Sequence, residues 1–510
     1  MFFGRKKALK ILFVAPEAAP FVKAGGLGEV MFALPRALAE IGHDARVMIP
    51  RFASIDQSKY RLTMEHEALQ VPTDAEEDTQ TTPAYLICNV KKYTPEKSGD
   101  TRQPVTSYFL ENQEYYEFRS NIYGYTDDAI RWALLSRGTL EFLRVSKWVP
   151  DVIVANDWQT GFLVNYLHTV YKNDAKLNKI ASLFVIHNLS YQGMFDHRFV
   201  NESDYDDGQS LVPSFFNPRL LRVNALRRGI LHADSITTVS PNYSKEIMTK
   251  EYGELLDDLL RERRSRLYGV LNGIDYEVFN SSVNPNLAAN YNEETLSERA
   301  KNKEEAQGRF GLDRDPSAFL LSIVSRFSEQ KGFDLLFDLV EVMLRELKMQ
   351  ILVLGSGDSR YMSFFKELET KHPGRVGAHL NFDRDLPHLV YGGSDAVLIP
   401  SKFEPSGLTQ MEAMRYGCVP IARRTGGLAD TVKDYDPKTN TGTGFTFEAF
   451  DAQALLVAMA RAYENYRNPA VWQKIQKSAM KHDFSWKHSA EEYERVANLA
   501  MNFAEKRGNP

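Results

Sequence analysis

Over Ser401–Val432 the chain reads SKFEPSGLTQMEAMRYGCVPIARRTGGLADTV. The apolar run over 395–400 leads into this stretch and predicts a buried strand. A helix is expected between Pro405 and Gly417, and a second short strand over 419–423. The glycine pair that follows opens another helix. Two successive strand-to-helix turns indicate a parallel sheet covered by helices, which is an α/β fold.

The two turns of this stretch carry different chemistry. The first presents a carboxylate, Glu404, and the second presents the backbone N–H groups of Thr425, Gly426 and Gly427 at the start of a helix. Ligands of open α/β sheets bind at the carboxyl edge of the strands, and helix N-termini attract anions. The pattern therefore predicts a site for a sugar donor that bears phosphate.

The same alternation of strands and helices runs through the rest of the chain in two blocks, which a polar stretch over 280–303 separates. We predict an α/β protein with two Rossmann-like, doubly wound domains that face each other across a cleft. The predicted domains are residues 1–268 and 269–482, followed by a helical tail over 483–510. Residues 52–106 are less regular, and we expect loops and short strands there. The main predicted strands cover 10–15, 43–50, 151–155, 182–186, 235–239, 319–324, 350–354, 376–379 and 396–399.

Composition narrows the class of protein. The chain has 510 residues and a formal net charge of −5, which gives no sign of a nucleic-acid or anionic membrane surface. Cys88 and Cys418 lie far apart in apolar contexts, so we expect buried thiols in a reducing cytosol. No apolar run approaches the roughly 20 residues of a membrane span, and the basic start Met1–Lys7 leads into a run too short for a signal peptide. We expect a cytoplasmic protein that binds neither nucleic acid nor membrane, and its oligomeric state stays open.

Polar clusters follow several of the predicted strands. Lys23–Gly28, KAGGLG, joins a cation to glycines that let a backbone approach a ligand, although a tight turn with a solvated lysine fits the spacing about as well. Asp157 follows the strand over 151–155, where it either binds a ligand hydroxyl or caps the next helix. His187 begins a dense polar cluster over 187–192, which favours a ligand contact over a purely structural histidine.

Two cations surround the turn after the strand over 319–324. Arg326 and Lys331 lie five residues apart in the chain and suit a pyrophosphate, with a solvated basic loop as the alternative. Neither an HExxH nor a CxxC zinc motif occurs, and the G-x-S-x-G elbow of a serine hydrolase is missing as well. We therefore expect no metal and no cofactor.

Taken together, these segments resemble the bacterial glycogen synthases and plant starch synthases, a family of retaining glucosyltransferases with the GT-B fold. They keep the order of the family, run from Lys10 to Trp486 and are highly specific as a set. Besides the opening stretch, they are KAGGLGEV (Lys23–Val30), NDWQTG (Asn156–Gly161), IHNLSYQGMF (Ile186–Phe195), TVSPNYSKEI (Thr238–Ile247), VLNGIDYEVF (Val270–Phe279), SRFSEQKGFDLL (Ser325–Leu336) and DFSW (Asp483–Trp486).

The resemblance implies transfer of glucose from ADP-glucose to the non-reducing 4-hydroxyl of an α-1,4-glucan, with retention of configuration. Donor and glucan are then the partners of the chain. The resemblance further implies that Lys23, Gly25 and Gly26 approach the donor phosphates. Arg326 and Lys331 would neutralise the leaving diphosphate, and a metal would not be needed. The helical tail would pack back on the first domain.

The resemblance also assigns the remaining candidate residues. The N–H groups of Thr425, Gly426 and Gly427 would add to the phosphate site, and Glu404 would orient the donor. Asp157 and His187 would bind the glucosyl unit, with the backbone carbonyl of His187 near the anomeric carbon. The implied catalytic residues are Asp157, His187, Arg326, Lys331 and Glu404.

The chain departs from the family pattern in places. Asn156 and Gln159 stand where the family often has the histidines of HDWH, and Ser406 stands where bacterial members often have cysteine. Tyr115–Asn121 differs from a PYHD-like acceptor segment, so acceptor contacts there are not carried over. None of these differences removes a charged catalytic position.

Two alternatives stay open. The first is another retaining GT-B glycosyltransferase that uses UDP-glucose or a small sugar acceptor, because no residue distinguishes ADP from UDP. The second is a noncatalytic glucan- or nucleotide-binding protein on the same fold. The joint presence of Lys23, His187, Arg326, Lys331 and Glu404 argues against it, since binding alone does not need every one of these charges.

Overall fold

The computed structural model describes residues 8–96 and 104–508, so the predicted feature at Met1–Lys7 and part of the irregular 52–106 region lie outside it. The chain divides into two compact units. The first comprises the described residues up to Val239, Ser244–Val270 and the described residues from Trp486 onwards. The second comprises Ser240–Tyr243 and Leu271–Ser485.

The first unit is built on one nine-stranded sheet. Its strands are β1 Lys10–Val14, β2 Asp44–Pro50, β3 Thr63–Pro72, β4 Tyr85–Tyr93, β5 Ser107–Glu111, β6 Val152–Asn156, β7 Ala181–Ile186, β8 Ser235–Thr238 and β9 Leu267–Gly269. Their order is β3-β4-β5-β2-β1-β6-β7-β8-β9. The chain leaves β1 towards β2 on one side and returns at β6 on the other, so the order reverses between β1 and β6. Doubly wound sheets bind ligands at such a switch point.

The region over 52–106 differs from its prediction. Instead of loops and short strands, it contains β3 and β4, which pair antiparallel and extend the main sheet through β5. Most of β3 is exposed, so its side chains lack the alternation of apolar and polar residues that marks a half-buried strand. Register shifts between Met64 and His66 and between His66 and Leu69 weaken the pattern further.

The second unit is built on a six-stranded sheet in which every pairing is parallel. Its strands are β10 Phe319–Phe327, β11 Met349–Gly357, β12 Val376–His379, β13 Ala396–Ile399, β14 Val419–Arg423 and β15 Phe445–Phe447. The order is β12-β11-β10-β13-β14-β15, which places the switch point between β10 and β13. The mainly parallel first sheet and the fully parallel second sheet, with their helices, confirm the predicted fold class of two Rossmann-like units.

Fifteen α-helices occur in the part of the chain that the structure describes. They are α1 Gly26–Glu40, α2 Asp128–Val145, α3 Gly161–His168, α4 Ala225–His232, α5 Pro241–Glu246, α6 Asp257–Glu262, α7 Arg299–Arg309, α8 Asp334–Glu346, α9 Ser359–Lys371, α10 Leu386–Gly393, α11 Thr409–Arg415, α12 Gly426–Thr431, α13 Ala452–Tyr466, α14 Pro469–Met480 and α15 Trp486–Gly508. Helices α7 to α14 belong to the second unit, and α15 belongs to the first. None of the helices within the described ranges is long and apolar enough to cross a membrane.

The helices cover the sheets with apolar faces. Helix α8 buries Leu336, Leu339, Val340, Met343 and Leu344, whose spacing of three and four residues forms one stripe along the helix. These side chains join the core of the second unit together with the apolar residues of β10 and β11. Burial on this scale holds the strand ends in place, and the candidate site residues follow those ends.

Candidate active site

The candidate residues of the first unit lie where three neighbouring strands end. Lys23 lies between β1 and α1, Asp157 follows β6 directly, and His187 follows β7 directly. Strand β6 pairs in parallel with both β1 and β7. Their carboxyl ends therefore share one edge, at the switch point of the sheet.

Asp157 has a strained backbone. Its φ of 57° lies in the left-handed region, which costs a residue other than glycine about 1–3 kcal/mol and is concentrated at functional sites. Its side chain does not cap the helix that follows, so that alternative is wrong. The Oδ1 atom of Asp157 instead accepts the backbone N–H of His187 at 2.7 Å and that of Asn188 at 3.4 Å. The carboxylate thus holds the first residues after β7.

Burial shifts the pKa of both side chains. Burial raises the pKa of Asp157 to about 7, and the charge of Glu17 adds to this, while the N–H groups of His187 and Asn188 act in the opposite direction. Burial lowers the pKa of His187 to about 4, so its imidazole is neutral at pH 7. Asp157 therefore changes its charge near neutral pH.

The neighbouring Asn156 defines the tautomer of His187. The side-chain amide of Asn156 donates to the carbonyl oxygens of Val14 and Val154. Its Oδ1 atom is then the acceptor for the Nε2–H of His187 at 2.9 Å. The Nδ1 atom of the imidazole consequently carries the lone pair.

A buried carboxylate that the sequence analysis missed anchors the glycine loop. Glu17 is 2% exposed, and it accepts the N–H groups of Ala24 and of Gly25, the latter at 3.2 Å. Tyr123 hydrogen-bonds to Glu17, and burial raises the pKa of this tyrosine well above its usual value. The signal was present in the sequence, because Glu17 follows a buried strand at the edge where ligands bind.

The glycine loop has room for a side chain at two positions. A Cβ atom added to Gly26 would have nothing within 4 Å, and one added to Gly25 would meet only Glu17, at 3.6 Å. The packing of the chain therefore does not require glycine there. Lys23 is half-exposed and forms an ion pair with Glu29.

The candidate residues of the second unit also follow adjacent strands. Arg326 lies at the end of β10, Lys331 lies in the turn after it, and Glu404 follows β13, which pairs in parallel with β10. The Nζ atom of Lys331 donates to Oε2 of Glu404 at 2.6 Å, and the Ser401 hydroxyl donates to the same oxygen at 3.0 Å. Glu404 is 5% exposed. The structure therefore brings Lys331 and Glu404 together as a partly buried ion pair, which the sequence did not predict.

Backbone contacts hold the two turns of the ion pair together. The N–H of Lys402 donates to the carbonyl of Gln330 at 2.8 Å, and the side-chain amide of Gln330 donates to the carbonyl of Phe403 at 3.2 Å. Arg326 is exposed, and its guanidinium has no hydrogen-bond or ion-pair partner among residues 8–96 and 104–508. Its guanidinium is consequently available to an anion.

The expectation of bare N–H groups at Thr425 and Gly427 is wrong. The N–H of Thr425 donates to the carbonyl of Arg423 at 3.0 Å, and the N–H of Gly427 donates to the carbonyl of Glu404 at 3.0 Å. A Cβ on Gly426 or Gly427 would lie 1.9 Å from the carbonyl oxygen of Glu404 or of Ser406, respectively. These glycines therefore let the turn after β14 pack against the turn that carries Glu404. Their part in donor binding stays a prediction.

We expect Gly427→Ala to lower the free energy of unfolding by about 1–3 kcal/mol, because the backbone must shift to relieve the overlap with Ser406. Urea denaturation measures this loss. Gly26→Ala is the matched control, since its Cβ has open space, and its unfolding free energy is expected to stay within about 0.5 kcal/mol of wild type. Equal values for the two variants would contradict this account of Gly427.

The described residues do not offer a metal centre. No group of three or more His, Cys, Asp or Glu side chains within residues 8–96 and 104–508 could hold an ion. Among the candidate residues, the titratable group Asp157 lies in the first unit, and Arg326, Lys331 and Glu404 lie in the second.

Two family models match the chain. The model described as the starch synthase catalytic domain matches residues 10–262, and the model described as glycosyl transferases group 1 matches residues 304–479. The two matches follow the two units.

Similar proteins match over nearly the full length of the chain. Glycogen synthase of Desulforudis audaxviator is 38% identical, over 98% of this chain and 99% of its own length. Glycogen synthase of Geobacillus stearothermophilus is 39% identical over 96% and 97%, and that of Clostridium novyi is 40% identical over 96% and 98%.

Solved structures agree with these sequence matches. The catalytic domain of starch synthase IV from Arabidopsis thaliana, solved with ADP and acarbose bound, superposes with a TM-score of 0.82 at 31% identity, over 97% of this chain and 100% of that one. Sucrose-phosphate synthase from Thermosynechococcus elongatus shares the fold, with a TM-score of 0.57 at 17% identity. The predicted resemblance is confirmed, and the chain belongs to the glycogen and starch synthase family of glycosyltransferases.

Proposed function

We propose that the chain transfers glucose from ADP-glucose to the non-reducing 4-hydroxyl of an α-1,4-glucan, with retention of configuration. The ion pair of Lys331 and Glu404 beside the unpaired cation Arg326 carries this proposal. The two cations suit a diphosphate leaving group, and the carboxylate suits a hydroxyl of the sugar attached to it. The relatives named glycogen synthase, and the ADP bound to starch synthase IV, support the choice of donor.

The second unit provides the groups for the leaving diphosphate. Arg326 presents a forked donor that matches phosphate oxygens, and Lys331 presents a compact charge. Glu404 keeps Lys331 in one orientation through the 2.6 Å contact and leaves its second carboxylate oxygen for a donor hydroxyl. We assign Glu404 a positioning and electrostatic role.

The first unit provides the groups for the sugar. The Asp157 carboxylate and the neutral His187 imidazole lie at neighbouring strand ends, and both accept hydrogen bonds from hydroxyl groups. Asp157 holds the backbone of His187 through the N–H of that residue at 2.7 Å, and the His187 carbonyl belongs to the same fixed backbone. We assign this carbonyl to the stabilisation of positive charge at the anomeric carbon.

The reaction builds positive charge on the sugar and negative charge on the departing phosphate. Fixed charges that match both changes lower the barrier without any reorganisation during the reaction. The acceptor 4-hydroxyl attacks the face that the nucleotide leaves, and the departing phosphate takes its proton. A protein acid–base pair is not required, which fits the low pKa of His187.

Pairing each donor with each acceptor tests the proposal. Radiolabelled ADP-glucose and UDP-glucose are supplied with glycogen, and separately with glucose 6-phosphate or fructose 6-phosphate as small acceptors. We expect label in glycogen from ADP-glucose. Label only in a small acceptor would favour another retaining transferase, and nucleotide binding without transfer would favour a binding protein. Digestion of the product by an enzyme specific for α-1,4 linkages checks the configuration.

Gly26→Ala distinguishes ligand approach from chain packing. Nothing in the chain occupies the space of a Cβ at this position. If the donor phosphates approach Gly26, the methyl group excludes them, and we expect the KM for ADP-glucose to rise about tenfold, or ~1.4 kcal/mol. The unfolding midpoint is expected to stay at the wild-type value. An unchanged KM would remove Gly26 from the donor site.

The partners and the location follow from the same proposal. A nucleotide-glucose and a glucan are the molecules that the chain binds, and we place the reaction in the cytoplasm. Cys88 and Cys418 are buried free thiols in the structure, and a reducing compartment keeps them so.

A further inference from the structure

Glu254 lies in a strained turn that precedes α6. Both Glu254 and Leu255 have positive φ, at 47° and 64°. This backbone conformation costs a residue other than glycine about 1–2 kcal/mol. The turn is tight, because the N–H of Leu256 donates to the carbonyl of Gly253 at 2.7 Å. Two adjacent strained residues persist only where surrounding contacts hold them.

Three side chains of the segment 188–197 contact Glu254. The Ser190 hydroxyl donates to Oε1 at 3.2 Å, and Oε2 lies 2.7 Å from Nε2 of His197. The side-chain amide of Gln192 donates to the backbone carbonyl of Glu254 at 2.7 Å. The contact with His197 is the main cause that lowers the pKa of Glu254, so the carboxylate is charged at neutral pH.

The same segment is held at its other end by the candidate active site. Asp157 accepts the N–H groups of His187 and Asn188, and the side chain of Asn188 accepts the N–H of Ser190 at 3.1 Å. Fixed contacts therefore run from Asp157 through the backbone after β7 to Glu254. His187, whose carbonyl we assign to the anomeric carbon, lies at the start of this path.

Gln192 also contacts the residues that begin α4. Gln192 is 2% exposed, and its Oε1 atom accepts the side-chain amide of Asn224 at 2.7 Å. The Oδ1 atom of Asn224 accepts the N–H of Arg227 and so caps α4. Gln192, which also donates to the carbonyl of Glu254, therefore joins the segment to the start of α4.

We propose that Glu254 is a positioning residue, which holds the segment 188–197 so that His187 keeps its place at the end of β7. This inference rests on the proposed function. The strained backbone aims both the side chain and the carbonyl of Glu254 at the segment. Glu254 restricts the conformations of the segment before substrate binds. The residue itself does not touch the reacting atoms.

The test compares Glu254→Ala with Leu255→Ala. Leu255 shares the strained turn, but its side chain is 70% exposed, so Leu255→Ala controls for effects on the turn itself. We expect Glu254→Ala to lower kcat about tenfold with little change in the KM for ADP-glucose, and Leu255→Ala to stay within about twofold of wild type. Glu254→Gln, which keeps one acceptor oxygen for either Ser190 or His197, is expected to recover part of the lost kcat.

Hydrogen–deuterium exchange supplies a readout that does not depend on activity. Amides of a peptide over 187–197 are expected to exchange about tenfold faster in Glu254→Ala than in Leu255→Ala, because the segment opens more often. Equal exchange in the two variants, or a wild-type kcat for Glu254→Ala, overturns the inference. An inactive wild-type chain would contradict the proposed function alone, and the exchange rates would still decide the role of Glu254.

Discussion

Replacing Glu404 or Lys331 with alanine is expected to lower kcat by about 10³-fold, which corresponds to ~4 kcal/mol of lost transition-state stabilisation. Lys331→Ala removes a charge from the leaving phosphate and also leaves the buried carboxylate of Glu404 with the Ser401 hydroxyl as a donor. Glu404→Ala removes the acceptor that orients Lys331. Each single change therefore disables both side chains.

The two side chains act as a unit, so their effects are not expected to add. The double variant Lys331→Ala/Glu404→Ala should lose little more activity than either single variant. Steady-state kinetics with ADP-glucose and glycogen give kcat for the two single variants and the double variant, which form a double-mutant cycle. Urea denaturation shows whether each variant is folded. Strictly additive losses would indicate that the ion pair is not present during turnover.

Lys402→Ala is the matched control for this cycle. Lys402 lies in the same turn as Glu404 and pairs with Glu329, but both side chains are more than half exposed. Exposed ion pairs contribute little to stability. We expect its kcat to stay within about twofold of wild type. A large loss in this variant would mean that the turn, and not the Lys331–Glu404 pair, controls turnover.

Asp157→Asn is expected to abolish a titration near pH 7. The pKa of Asp157 is raised from 3.8 to about 7, chiefly by burial. Asparagine tolerates positive φ, and its side-chain oxygen can still accept the N–H of His187, so the fold should persist. We expect kcat/KM of the wild type to depend on pH near 7. In the variant this dependence should be lost, and kcat/KM should fall by about 10²-fold because the fixed charge is gone.

The same group links stability to pH. Between about pH 4 and 7 the folded chain holds a proton on Asp157 that the unfolded chain has released. The contribution of this group to stability is therefore greatest at low pH, and it falls as the pH rises, by about 1.4 kcal/mol per pH unit within that window. The lowered pKa of His187 gives a slope of opposite sign between about pH 4 and 6.5, so the Asp157 contribution is measured as the difference between the urea-denaturation slopes of the wild type and Asp157→Asn. In Asp157→Asn this contribution should vanish.

Two further variants check the assignment of the titration to Asp157. Asp258→Asn changes an exposed carboxylate of the same unit and is expected to keep the wild-type slope. Glu17→Gln removes a nearby charge that helps to raise the pKa of Asp157, so the titration should move to lower pH. A titration that is unchanged in Asp157→Asn would assign it to another group.

Local sequence patterns were sufficient for most of the fold. Strands 376–379 and 396–399 occur where they were predicted, because a short apolar run bounded by polar turns has few other stable arrangements in a parallel sheet. The pattern failed for β3 and β4. Strand β3 is mostly exposed and β4 alternates exposed and buried residues, so neither has the continuous apolar run that marks the buried parallel strands.

Local patterns also located most of the candidate site. Asp157, His187, Arg326 and Glu404 all lie at or just after the carboxyl ends of strands that flank the two switch points. The order of elements along the chain is enough to predict this, since parallel connections bring such ends to one edge. The roles of these residues stay predictions.

The sequence by itself thus determined the fold class, the family and the strand ends that carry the site. Only the tertiary structure decided which groups are paired there. It places Lys331 on Glu404, uses the N–H of Gly427 within the chain, and anchors the glycine loop on Glu17. Secondary structure follows from the periodicity of neighbouring residues. A hydrogen bond between residues 73 positions apart depends on distances that only the packed chain defines.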